Sequence, residues 1–117
     1  MMNRGEELRA KYIAKQGREK IASYKKIIHD YIYYALDILE KYIDEGENPI
    51  VTIKIVNEDN KVITNPDMIP AHFQDVVFHM LLAEETDKYS LEVCFRMDQD
   101  NIDGNTVQIP TLTFTFK

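Results

Sequence analysis

The sequence predicts an α+β domain: a long N-terminal helix, bent near Gly17, followed by a ββαββ unit that forms an antiparallel sheet. Three observations predict it. All four prolines (Pro49, Pro66, Pro70 and Pro110) fall after residue 48, so the first part of the chain is free to be helical. Within it, Ile21, Tyr24, Ile28, Tyr31, Ala35, Ile38 and Tyr42 recur at alternating spacings of three and four. Beyond it, apolar and polar residues alternate one for one in two later stretches joined by turn residues, the mark of local antiparallel pairing.

The elements follow in order. Residues 5–16 read as a first helical segment, with Leu8 and Tyr12 as an i,i+4 pair off the main seam and Gly17 as the point of change. Residues 21–43 form the long helix. Ile27, Ile32, Tyr34, Leu36, Leu39 and Ile43 flank its seam, so the apolar arc spans roughly 200°, about twice the stripe of an ordinary surface helix. Residues 50–57 are rich in β-branched residues and read as a strand; residues 57–60 are turn chemistry and residues 61–64 a returning strand. Pro70 suits the first turn of a helix running to about Glu85, with Phe73, Val76, Val77, Met80 and Leu81 on its core face and Phe78 and Leu82 off it. In residues 89–97, Tyr89, Leu91, Val93, Phe95 and Met97 share one side. In residues 107–116, Leu112, Phe114 and Phe116 do so, with Thr111, Thr113 and Thr115 opposite.

The 117 residues, 44% hydrophobic and 29% charged, suit one domain over 1–117. Residues 1–20 are basic and read as an N-terminal helical segment able to move independently. The start of the chain has no apolar h-region, the longest apolar run is far short of the roughly 20 residues of a bilayer span, and Cys94 is alone. A cytoplasmic protein with no membrane association is expected. The net charge of −6 divides unevenly: residues 1–29 hold eight Lys/Arg against three Glu, and residues 30–117 hold six against seventeen Asp/Glu. Such asymmetry marks either a basic tail, an acidic partner surface, or a basic helix lying on its own acidic body.

Chemistry-bearing residues are few. His72, Asp75 and His79, at i, i+3 and i+7, are the candidate metal ligands, but they lack the i,i+4 histidine pair of a zinc helix and any evident further ligand. Their ordinary alternative is an Asp75–His79 contact on a polar flank. Residues 98–104 evoke a calcium loop only faintly, with Ile102 at the fifth position and Ile109 at the twelfth; an acidic hairpin turn fits better. Cys94 sits mid-strand, the place of a packed thiol. No phosphate loop or nucleophile motif is present, so neither an enzyme nor a bound cofactor is expected. The basic residues of 1–29 lie all round the helical wheel, whereas a phosphate-reading helix gains most from a one-sided stripe.

In size and acidity the chain resembles small intracellular inhibitors of the immunity and phage anti-defence type. The expected function is a non-enzymatic protein-binding module that masks a partner's surface and self-associates, as a homodimer, through the long helix. Tyr24, Ile28, Tyr31, Tyr33, Ile38 and Tyr42 are the candidate interface residues. The alternatives are a nucleic-acid-associated factor using the basic N-terminal helix and a metal-dependent enzyme using His72, Asp75 and His79.

Overall fold

The computed structural model describes residues 3–57, 59, 61, 63 and 65–117. It is α+β: helices α1 (Arg4–Ala14) and α2 (Arg18–Asp44), strand β1 (Ile50–Lys54), helix α3 (Val76–Asp87), and strands β2 (Leu91–Ile102) and β3 (Asn105–Phe116). Two 3-10 turns, Pro66–Met68 and Ala71–Gln74, precede α3.

The helical start breaks where the glycine falls. Gly17 lies between α1 and α2 with φ 89°, a left-handed conformation that costs glycine nothing and other residues strain. α1 is capped by Asn3, whose side chain accepts from the Glu6 N–H at 2.9 Å, and it buries none of its own residues. α2 buries Ile28, Ile32, Ala35 and Leu39, a line at spacings of four, three and four. The buried line therefore takes two residues from the predicted seam and two from its flank. Tyr24, Tyr31, Ile38 and Tyr42 pack at its margin, half-buried.

α3 begins later than Pro70 suggests. Asp75 has extended backbone (φ −94°, ψ 122°) and its carboxylate accepts from the Val77 N–H at 3.0 Å, so it is the N-cap. The preceding 3-10 turn uncouples Phe73 from the helical phase. The buried face becomes Val77, Phe78, Leu81, Leu82, Glu85 and Thr86, while Val76 is exposed and Met80 only half-buried. Phe78, placed off the core face by periodicity, is fully buried.

The sheet has three strands in the order β1–β3–β2, antiparallel throughout. β2 and β3 form the expected hairpin. Asp103 (φ 51°) and Gly104 (φ 81°) make its two-residue turn, both left-handed as a type I′ connection demands. The register sets Val51, Phe114 and Val93 side by side, and then Ile53, Leu112 and Phe95. These residues form the inner face, covered by α2 and α3; Thr52, Thr113 and Cys94 occupy the outer one. The first predicted hairpin is different. The chain does turn back, with the Asn57 N–H donating to the Lys61 carbonyl at 2.9 Å, but the return is short and β1 itself pairs with the C-terminal strand. In the segment expected to return, the described residues Lys61 and Ile63 lie outside any strand, and Val62 and Thr64 are outside the described residues. Ile63 is nevertheless buried and its N–H donates to the Ile55 carbonyl. The radius of gyration is 15.9 Å, against about 13 Å for a compact chain of this length; both α1, which buries none of its residues, and the exposed β2–β3 tip lie outside the core. Among the described residues no helix is long and apolar enough to cross a membrane.

Candidate docking groove

α2 is held to the rest of the molecule differently on its two flanks. Toward α3 the contacts are polar and paired. Glu85 is only 4% exposed, yet its carboxylate meets His29 at 3.1 Å, Lys88 at 3.0 Å and Lys25 at 3.6 Å. Burial alone would raise its pKa; His29, Lys88 and Lys25 outweigh that and hold it below the usual carboxylate range. One turn outward, Tyr33 and Tyr89 meet edge-on with their hydroxyls 3.3 Å apart. At the other end of the same contact, Asp75 accepts from the Tyr24 hydroxyl at 2.8 Å and pairs with Lys20 at 2.7 Å. Lys20, the Val77 N–H and Tyr24 hold its carboxyl at about 2.

The predicted metal trio is thereby divided. Asp75 is a helix cap tied to α2. His79 hydrogen-bonds through Nε2 to the Phe73 carbonyl at 2.6 Å. His72 sits among Phe73, Phe78 and Tyr24, its Nε2 buried without a partner among the described residues. Burial, and then His79, lower its pKa. Nowhere among the described residues do three or more His, Cys, Asp or Glu side chains gather as a metal would need. Cys94 is exposed on the outer face of β2.

Toward β1 the flank of α2 is open. Ile27, Asp30, Tyr31 and Tyr34, spaced by three, one and three, face Ile53, Lys54 and Val56 across a groove of about 560 Å³. Its walls are apolar, with Asp30 and Lys54 as the charged groups at its edge. Tyr34 is 56% exposed, and Val56 and Ile50 are also exposed. The groove runs beside a sheet edge. The Ile55 N–H donates to the Pro110 carbonyl at 3.0 Å, in register with the β1–β3 ladder. Val51, Ile53 and Ile55 therefore turn their backbone groups toward β3, and Thr52 and Lys54 turn theirs outward. Among the described residues nothing hydrogen-bonds those outward groups.

The sequence-predicted interface residues divide along the same line. Ile28 lies wholly inside the core and offers no surface. Tyr24 is committed to Asp75 and Tyr33 to Tyr89, on the closed flank. Ile38 and Tyr42 pack at the margin of the core. Tyr31 alone lines the groove. The remaining groove residues went unnamed: Ile27 and Tyr34 were visible only as flank, and the edge exposure of β1 follows from a strand pairing that local sequence does not carry. Of the basic residues, Lys20 and Lys25 point inward to Asp75 and Glu85. No protein-family model matches the chain, and no curated protein or solved structure is detectably similar to it.

Proposed function

We propose that the protein is a non-enzymatic protein-binding module and that the groove between α2 and β1 is its binding surface. The observation that carries this reading is the pairing of an apolar groove with an open strand edge. Main-chain groups at Thr52 and Lys54 supply directional hydrogen bonds, and Ile27, Tyr31 and Tyr34 supply apolar area to desolvate, the two components of recognition by strand addition. Asp75 and His79 are engaged in separate structural contacts, as helix cap and as partner of the Phe73 carbonyl, which supports binding over a shared metal site.

The test is site-specific photocrosslinking in living cells. A photoreactive phenylalanine at Tyr34 is expected to give protein adducts, whereas the same group at Thr115, on the outer sheet face, gives none. Adducts that vanish on nuclease treatment, or equal yields at both positions, would count against the reading.

A further inference from the structure

We infer that the occupant of the groove is a second copy of this chain, docked about a two-fold axis so that β1 pairs with β1 and α2 lies antiparallel to α2; this rests on the groove being the binding surface. Two independent features select the same axis.

The first is charge. On its exposed side α2 presents Asp30, Tyr34 and Lys41, spaced i, i+4 and i+11, the first two of them lining the groove. This row is self-complementary when reversed. In an antiparallel pair centred between Ala35 and Leu36, Asp30 of one copy faces Lys41 of the other. An isologous interface makes each contact twice.

The second is the strand edge. Outward groups at Thr52 and Lys54 allow an antiparallel β1–β1 pair centred on Thr52, in which the two Thr52 residues exchange both hydrogen bonds and Lys54 N–H reaches the Ile50 carbonyl of the other copy. The free edge is short. At its start the Ile50 N–H is already given to the Asn48 carbonyl at 2.8 Å, which leaves Thr52 and Lys54 as the free donors.

The two centres coincide. The groove sets residues 27–34 of α2 against residues 53–56 at and just after the end of β1, with Tyr31 and Lys54 near the middle of each wall. Two residues back along β1, from Lys54 to Thr52, cover about 6.6 Å, the rise of between four and five helical residues. Because α2 and β1 run in opposite directions, that step leads from Tyr31 to about Ala35–Leu36, the centre the charge row requires. One axis satisfies both elements and would join the two sheets into one of six strands.

Charge reversal tests this on the intact protein. Sedimentation equilibrium of the wild type at about 100 μM is expected to give twice the 13.7 kDa chain mass. Asp30→Lys and Lys41→Asp alter exposed side chains, and each alone is expected to weaken the dimer about tenfold or more, by setting like charges together twice. An equimolar mixture of the two variants should recover the dimer, because each then supplies what the other lacks. A wild-type monomer at that concentration overturns the inference, as do variants that dimerise like wild type or a mixture that stays monomeric. A monomer that still crosslinks through Tyr34 to a different protein in cells would refute self-docking and leave the binding reading standing.

Discussion

The two flanks of α2 solve the same problem in opposite ways. The flank toward α3 is closed around carboxylates: Glu85 gathers His29, Lys25 and Lys88, and Asp75 gathers Lys20 and Tyr24. The flank toward β1 is apolar, open, and bordered by main chain that has no partner among the described residues. A buried carboxylate tolerates little error in partner or distance, so the closed flank fixes how α2 and α3 sit on each other. The open flank has no such fixture: Ile27, Tyr31 and Ile53 pack on the core by apolar contact, while Tyr34 and Val56 stand exposed. Rigidity on one side and vacancy on the other is what a docking surface requires, since a groove keeps its shape only if the helix forming its wall cannot shift.

That contrast can be broken or sharpened in three steps. The largest effect is expected from Glu85→Ala, which leaves Lys25, His29 and Lys88 clustered without their counter-charge and should cost about 1–3 kcal/mol in urea unfolding. An unchanged midpoint would show that the closed flank is not held by this carboxylate. Next is acid sensitivity. The folded-state pKa of Asp75 is depressed from 3.8 to about 2, so its contribution is present above pH 4 and is lost as pH falls through that interval. His72 acts earlier: with its folded pKa below 6.5, the unfolded chain gains a proton first, and stability falls as pH drops below 6.5. Melting temperatures measured from pH 7 to pH 2 should fall in these two stages, and His72→Phe should remove the first. The smallest effect is expected at the open flank. Tyr34→Ser, at a concentration low enough to keep the chain monomeric, should change stability by no more than about 0.5 kcal/mol, because the ring is largely exposed. A loss as large as that of Glu85→Ala would mean the groove wall belongs to the core.

Much of the fold was legible because its signals are local. Gly17 marks a helix break by its own conformational freedom, and strict alternation in β2 and β3 assigns the faces of Leu91, Val93, Phe114 and Thr113 correctly. The start of α3 was also local, but two signals competed. Pro70 is a good first-turn residue and Asp75 a good cap; the extended backbone at Asp75 shows that the cap prevailed, and the five-residue difference rotated Phe78 into the core and Val76 out of it. What could not be read was non-local. The 200° apolar arc of α2 says that much must be covered, without saying which rows meet α3, which meet the sheet and which meet neither. The groove depended on β1 joining the C-terminal strand, and neither strand's sequence names its partner.

That last pairing bears on how the chain comes together in time. Thr52 and Thr113, whose hydroxyls lie 3.2 Å apart across β1 and β3, are separated by 61 residues. At translation rates of about 5–20 residues per second, β1 waits several seconds for its neighbour, and through that interval both its edges are bare. The helices and the β2–β3 hairpin are built from nearby residues and can form early; closure of the sheet by β1 carries the entropic cost of a long loop and belongs to the end of folding. A nascent chain meeting another at this stage would find a β-branched strand with two free sides, so pairing of β1 with a second copy could precede its pairing with β3.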